Sequence, residues 1–170
     1  HGWCQDGLEQ RRQGLSVTSG HTVGMRGFCL GTDHILVDAL GITDPLLARM
    51  PRNPSQHNWR PGHFLRLLPE GYCGGLQHGD NRLADPAIEA YYEKIRLLTQ
   101  SEDLFSRDRL LTIWLMNSGA YRNELQQIHT TLQARFNAPD GTAWQQAAVQ
   151  DCPPVQLPPA LIEQLKQSGP

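Results

Sequence analysis

The sequence predicts an α+β fold, in which a small β-sheet with Gly-rich loops in the first half packs on a bundle of about three helices from the second half. Short β-type runs alternate with glycines up to Gly79, and apolar residues then recur at three- and four-residue steps. The 170 residues, 39% hydrophobic and 19% charged, suffice for one domain with its own core. We divide this single domain into a strand- and loop-rich part (1–79), a helical part (80–137) and a Pro-rich tail (138–170).

Three short runs in the first half are candidate strands. Residues 15–18 and 34–38 are rich in apolar and β-branched side chains, and residues 64–68 are a shorter third candidate. The four glycines between positions 20 and 31 recur at turn-like intervals, which predicts loops and hairpin corners. Neither G-x-G-x-x-G nor G-x-x-x-x-G-K-[ST] occurs, so nucleotide binding has no support.

The second half predicts three amphipathic helices. Asp85 and Pro86 begin the first, because Asp caps free N–H groups and Pro at the first helical position has no donor to lose. Ser106 caps the second, which Gly119 stops or kinks, and the third covers residues 121–136. The residues expected to face inward are Ile88, Tyr91, Tyr92, Ile95 and Leu98, then Leu110, Leu111, Trp114 and Leu115, and finally Leu125, Ile128, Leu132 and Phe136.

The tail predicts less regular structure. Asp140-Gly141 is typical of a turn, and the Cys-Pro-Pro sequence at 152–154 is typical of extended chain. Residues 159–167 are a candidate for one last helix.

Charge and hydropathy exclude several classes of protein. The formal net charge is -2, so no basic field attracts nucleic acid or an anionic membrane surface. No run approaches the roughly 18 to 20 apolar residues of a membrane span. The chain opens at His1 without an initiator Met or a signal sequence, so we expect a processed product or a piece of a longer protein.

The four cysteines are dispersed, with no C-x-x-C spacing, which argues against structural zinc and a thioredoxin-type redox pair. Such a set fits disulfides and an oxidising compartment. Four thiols allow three pairings, and we favour Cys4 with Cys29 and Cys73 with Cys152, since each would tie a terminal segment to the body. The alternative is four buried free thiols in a cytosolic protein.

Residues 38–72 carry the most irregular polar sequence, between Pro and Gly hinges, which is more typical of a site than of a core. Asp38 would stand at the carboxyl end of the second strand, where side chains often line a crevice. Asp44 precedes a proline, which predicts a short helix at 45–50, and we favour a capping role for Asp44 over a catalytic one. Arg49 either complements the dipole of that helix or pairs with Asp38.

Trp59, Arg60, His63 and Arg66 complete this stretch. In a strand over residues 63–68, His63 and Arg66 point to opposite faces. A lone His of this kind is more often a hydrogen-bonded structural residue than a ligand or an acid–base group.

Two segments carry a resemblance: D-x-x-G-x-x-D-P-L-L-A-R from Asp38, and W-R-x-G-H-F from Trp59. With Asp85-Pro86, Tyr91-Tyr92 and the run at 109–121, they make residues 38–121 similar to the soluble C-terminal domain of bacterial arabinofuranosyltransferase-type proteins. These are multi-spanning glycosyltransferases of the C-type superfamily, which take a sugar from a polyprenyl-phosphate donor at the outer face of the inner membrane. The first 30 residues and the tail match nothing that we can name.

The resemblance implies a periplasmic accessory role. The catalytic acidic residues of such enzymes are expected in the membrane portion, so this chain should contain no catalytic residue, no cofactor and no metal. Its partners would be a cell-envelope glycan acceptor, its own membrane-spanning region and, through that region, the polyprenyl-phosphate sugar donor; nucleic acid is not expected.

A sugar-binding role suits the residue types of the stretch. Trp59 offers an aromatic surface to the C–H face of a ring, while Arg60, Asp38 and Asn58 offer donors and acceptors to hydroxyls. Alternatively, Trp59 is a core or interface anchor and Arg60 its ion-paired neighbour. The candidate substrate-binding residues are Asp38, Asp44, Arg49, Trp59, Arg60, His63 and Arg66.

Three other functions remain open. A free-standing carbohydrate-binding or interaction module would differ in lacking a membrane region upstream. A copper oxygenase would chelate copper through the amine and imidazole of His1, but it needs a second His and usually a β-sandwich. A hydrolase is weakly supported, because neither a G-x-S-x-G elbow nor an H-E-x-x-H pair occurs.

Overall fold

The structure, a computed structural model, describes residues 2–20, 23–54 and 61–152, and within them it confirms the α+β class. These residues form seven α-helices and a two-stranded sheet. The elements are α1 (Gly2–Arg12), β1 (Val17–Gly20), α2 (Val23–Leu30), β2 (Ile35–Asp38), a 3-10 turn (Leu47–Arg49), α3 (Tyr72–His78), α4 (Pro86–Gln100), α5 (Arg107–Ser118), α6 (Arg122–Phe136) and α7 (Gly141–Gln150).

The two strands pair in parallel, with Val17 opposite Ile35 and Gly20 opposite Asp38. Parallel neighbours need a crossover connection, and α2 provides it. The predicted strands at 15–18 and 34–38 are therefore confirmed, the first displaced by two residues toward the C-terminus. The loops and hairpin corners predicted between them are wrong, because that segment contains the crossover helix.

Helices α1 and α2 pack against each other although β1 lies between them in the chain, and we call this pair, which the sequence did not predict, the α1–α2 hairpin. A Cβ added at Gly7 would collide with the backbone of α2 at Arg26, so glycine allows the two helices to approach closely. The Cys4–Cys29 disulfide joins them, with a Cα–Cα distance of 5.3 Å. Helices this short are marginal alone, which is why packing rather than local sequence decides their structure.

The second disulfide links Cys73 in α3 to Cys152, which lies just beyond α7. Both pairings that we favoured are confirmed, and the described residues contain no free cysteine. Two disulfides are typical of an oxidising, extracellular-type compartment. None of the described helices combines the length and the apolar character that crossing a membrane requires.

The third predicted strand, at residues 64–68, is wrong. An isolated antiparallel bridge joins Arg66 to Arg52, and the backbone N–H of Arg66 donates to the Ala39 carbonyl at 3.0 Å. The next N–H, of Leu67, donates to the Pro51 carbonyl at 2.9 Å. The segment divides its hydrogen bonds between two neighbours, and therefore extends no sheet.

The three helices predicted for the second half are present with the expected caps. The Asp85 carboxylate accepts from the N–H groups of Ala87 (2.8 Å) and Ile88 (3.2 Å), and Ser106 accepts from the N–H of Arg109. Gly119 ends α5 in the left-handed conformation, with φ of 81°. The described core combines α4 and α6 with the sheet and the 3-10 turn; its members include Val17, Val37, Leu46, Leu47, Met50, Ile88, Tyr91, Tyr92, Ile95, Ile128 and Leu132.

The inward face predicted for α5 is wrong at Leu110, Leu111 and Trp114, whereas Leu115 is half-buried. Leu110 and Leu111 are each 49% exposed and Trp114 is 64% exposed. Thr112 is buried, and the sulfur of Met116 accepts a hydrogen bond from the Tyr91 hydroxyl of α4. Thr112 and Met116 are four residues apart and so share one side of the helix, turned away from Leu110 and Trp114. Asp140-Gly141 is also more than a turn, because it begins α7. The extended chain and last helix predicted after residue 152 lie outside the described residues.

Candidate functional site

A cavity of about 410 Å³ opens at the carboxyl ends of the two parallel strands. Its volume falls in the range of small-molecule sites, roughly 300–1,000 Å³. Ser19 and Gly20 line it from β1, and Val37 and Ala39 line it from the end of β2. The crevice beyond the carboxyl ends of parallel strands is a common position for ligands in α/β architectures.

The cavity walls come from parts of the chain that are distant in sequence. Asp6 of α1 and Arg26 of α2 form one side, and Gln145 and Val149 of α7 form another. The segment from Leu47 to Leu68 supplies the remainder, including Asn53, Leu65 and Arg66. The lining is thus an apolar surface interrupted by a few charged, amide and hydroxyl groups, which is the usual composition of a ligand site.

Asp38 shapes the loop beside this cavity but does not line it. The residue is 1% exposed, and its carboxylate accepts from the N–H groups of Leu40 (3.0 Å), Ile42 (2.8 Å) and Thr43 (2.8 Å). Gly41 has φ of 65°, and a Cβ there would collide with the backbone of Leu47. The D-x-x-G pattern therefore specifies a tight turn after β2.

Asp44 holds the start of the 3-10 turn, which confirms its predicted capping role. One carboxylate oxygen accepts from the N–H groups of Leu46 (3.0 Å) and Leu47 (2.8 Å), and the hydroxyl of Tyr72 donates to both oxygens. Burial raises the pKa of Asp44, although these hydrogen bonds oppose the shift. The helix predicted at 45–50 is confined to the 3-10 turn Leu47–Arg49.

Arg49 does not line the cavity. Its guanidinium donates to the Pro45 carbonyl (2.6 Å), whereas the Asp38 carboxylate takes its donors from the loop that follows it, so the two side chains do not pair. Arg49 instead lines a separate groove with Tyr91 and Tyr121. The structure thus separates Arg49 from the other candidates.

Of the predicted site residues, Arg66 alone among those described lines the cavity. Its guanidinium donates to the Met50 carbonyl (3.1 Å) and the Leu40 carbonyl (3.4 Å), which fix its position. His63 is exposed, and its Nδ1 lies 3.1 Å from the Pro61 carbonyl oxygen. Trp59 and Arg60 lie outside the described residues.

The sequence did not reveal the charged pair that lines the cavity together with Arg66. Nη2 of Arg26 lies 3.3 Å from Oδ2 of Asp6, and the two side chains are only 12% and 9% exposed. One signal was available: Asp6 and Arg26 lie just inside the Cys4–Cys29 pairing, which brings both segments together. Ser19, Asn53 and Gln145 carried no comparable signal.

The chain matches no protein-family model, no curated protein and no solved structure. Within the described residues no group of three His, Cys, Asp or Glu side chains is arranged to hold a metal ion. His1, the predicted copper ligand of the oxygenase hypothesis, lies outside those residues. The cavity at the strand ends is therefore the feature from which we argue function.

Proposed function

We propose that this chain is an extracytoplasmic domain of an arabinofuranosyltransferase-type membrane glycosyltransferase of the C-type superfamily. In this proposal the cavity holds part of a cell-envelope glycan acceptor beside the membrane region, where a sugar is transferred from a polyprenyl-phosphate donor. The chain itself contributes binding and not the chemical step. Its place is the periplasmic face of the inner membrane.

The observation that carries the proposal is the origin of the cavity lining. Ala39, Leu47, Leu65, Arg66 and Leu68 all lie within the span on which the resemblance rests. The most distinctive motif, D-x-x-G-x-x-D-P-L-L-A-R, forms the loop and turn that place Ala39 and Leu47 at the cavity. Residues of this motif thus form part of the cavity wall, which supports a binding role for the motif.

The chemistry of the lining suits a sugar. A glycosyl ring has apolar C–H faces and a rim of hydroxyls, which both donate and accept hydrogen bonds. Val37, Leu65 and Val149 offer apolar surface, and Ser19, Asn53 and Arg66 offer polar groups. The two disulfides agree with the oxidising compartment in which a cell-envelope glycan is built.

Direct titration of the 170-residue chain with glycans tests this role. We expect short arabinofuranose oligosaccharides to bind saturably and to shift the amide NMR signals of Ala39, Leu65 and Arg66. Arabinopyranose oligosaccharides of equal length are the matched ligand control and should bind more weakly. Arg66→Met should weaken binding, since Arg66 is the one predicted site residue, among those that the structure describes, that reaches the cavity. Arg107→Met, an exposed change on α5, should not weaken binding. Saturable binding whose signals map away from the cavity would contradict the proposal.

The native reading frame upstream of His1 separates the transferase domain from the free-standing module. Several apolar runs of roughly 20 residues support a membrane enzyme. A cleavable signal peptide directly before the domain supports a secreted binding module instead. Glycan binding is expected of the transferase domain and of the module, so it does not distinguish them.

A further inference from the structure

We infer that the Asp6–Arg26 pair of the α1–α2 hairpin completes the cavity as a recognition element for neighbouring hydroxyls of an uncharged sugar. This inference deepens the proposed function and rests on it. It assigns ligand contact to the first 30 residues of the chain, which lie outside the segments that resemble a known family. The hairpin is then part of the binding site as well as of the scaffold.

The geometry fixes the Arg26 guanidinium at the cavity. Nη2 pairs with Oδ2 of Asp6 at 3.3 Å, and Nη1 lies so close to Gly20 that a Cβ there would collide with it. Gly20 is the last residue of β1 and itself lines the cavity. The absence of a side chain at Gly20 therefore leaves room for the guanidinium at the strand end.

Two side chains that line the cavity have unused hydrogen-bonding capacity. Nε of Arg26 and Nε2 of Gln145 are buried without a hydrogen-bond partner among the described residues. Gln145 is 6% exposed, and its other amide atom, Oε1, accepts from the backbone N–H of Leu68 at 3.1 Å. Both donor atoms are almost inaccessible in this structure, so an acceptor of a ligand in the cavity reaches them only when the two side chains shift toward it. Buried polar atoms without partners also occur at Gln10, Thr18 and His34, outside the cavity lining.

The Asp6–Arg26 pair is neutral as a unit, so this pair does not select a charged ligand, whereas Arg66 adds a positive charge to the same cavity. Asp6 neutralises Arg26, so the pair presents one carboxylate and one guanidinium and no net charge. Adjacent sugar hydroxyls donate to a carboxylate and accept from a guanidinium at the same time, whereas an ionised carboxylate ligand has no proton to donate to Asp6. An anionic ligand would also approach the Asp6 carboxylate at an energetic cost.

Four variants of the full chain test the inference by calorimetric titration with arabinofuranose and pyranose oligosaccharides. Arg26→Met removes the guanidinium, Asp6→Asn removes its partner charge, and Gly20→Ala displaces the guanidinium while both charges stay. The control is Arg12→Met, on the same hairpin, because Arg12 pairs with Glu9 at the surface with its side chain 76% exposed. We expect Kd to rise by about tenfold or more in the first three variants and to change by less than about twofold in the control.

Melting temperatures of all variants identify loss of fold, and Gly20→Ala or Asp6→Asn decides the question if Arg26→Met does not fold. Glycan binding that is unchanged in the folded variants at positions 6, 20 and 26 overturns the inference and leaves the proposed function standing. Pyranose binding that depends on Arg26, without arabinofuranose binding, supports the hydroxyl site and contradicts the arabinofuranosyltransferase assignment. Binding of inorganic phosphate or glucuronate in preference to every neutral sugar overturns the inference, as does the absence of any neutral sugar binding.

Discussion

The hydroxyl of Tyr72 donates to the carboxylate of Asp44, at 3.0 Å from Oδ2 and 3.1 Å from Oδ1, and so joins α3 to the 3-10 turn. Tyr72 in turn packs edge-on against Tyr92 of α4, with ring centroids 5.3 Å apart. Burial raises the pKa of Tyr72 far above its ordinary value, and the neighbouring Asp44 adds to the shift. The hydroxyl is therefore a neutral donor, and Asp44 is both a cap and the anchor of a core tyrosine.

Removing the Asp44 carboxylate should cost more than removing an ordinary cap. Asp44→Ala deletes a cap, worth about 1 kcal/mol, and leaves a buried hydroxyl unpaired, which costs about 1–3 kcal/mol. We expect urea unfolding to show a loss of about 2–4 kcal/mol. Asp85→Ala is the matched control, because Asp85 caps α4 with two N–H bonds and holds no tyrosine, and it should lose about 1 kcal/mol. Equal losses in the two variants would show that the Tyr72 bond adds nothing.

The raised pKa of Asp44 predicts a pH dependence of stability. The native state holds the Asp44 proton more tightly than the unfolded chain, whose ordinary pKa is 3.8. The resulting stabilisation is fully present below that value and is lost as the pH rises through the native pKa. Asp44→Asn cannot titrate at this position. The free energy of unfolding of the wild type, measured relative to this variant by urea titration, should therefore increase as the pH falls from about 7 to about 4. A constant difference, or one that decreases on acidification, would contradict the assignment.

The sequence predicted the elements whose signals are local. Helices α4 and α6 follow from an apolar stripe, and the Asp85 and Ser106 caps need only the next three residues. Helices α1 and α2 lack such signals: α1 is polar, and α2 carries two glycines. Their helical structure depends on contact with each other and on the disulfide. Local sequence patterns do not reveal contacts of this kind.

The same distinction applies to the candidate site. The cap at Asp44 was predictable because its partners are two and three residues away. The cavity was not predictable, because residues from distant parts of the chain, including Asp6, Arg66 and Gln145, together line it. For α5 the prediction was wrong because apolar residues occur on nearly all sides of this helix, so its sequence does not specify which face is buried.

The two disulfides should contribute differently to stability and to the site. Cys4 and Cys29 are 25 residues apart, and Cys73 and Cys152 are 79 apart, so removing the second constraint frees the larger unfolded-state loop. The loop-entropy estimate is about 3.5 kcal/mol for the first and about 4.5 kcal/mol for the second. We therefore expect the double Ser variant at positions 73 and 152 to unfold at lower urea concentration than the one at positions 4 and 29. The variant at 4 and 29 should nevertheless lose more glycan affinity, because its disulfide holds the hairpin that carries Asp6 and Arg26. If the variant at positions 73 and 152 lost more glycan affinity instead, the α1–α2 hairpin would not be part of the binding site.

The exposed apolar face of α5 predicts tolerance to polar substitution in this chain. Trp114 is 64% exposed, whereas Ile128, on α6, is 2% exposed. Trp114→Gln should change the free energy of unfolding by no more than about 0.5 kcal/mol, which is typical of a surface position. Ile128→Ala should cost about 2–5 kcal/mol, because it removes buried methyl groups and leaves a cavity in the core. Urea unfolding of both variants measures the contrast. Leu110→Gln and Leu111→Gln extend the test along the same face. A loss of more than about 2 kcal/mol at any of the three α5 positions would mean that this face is buried in the folded chain, as the sequence prediction had it.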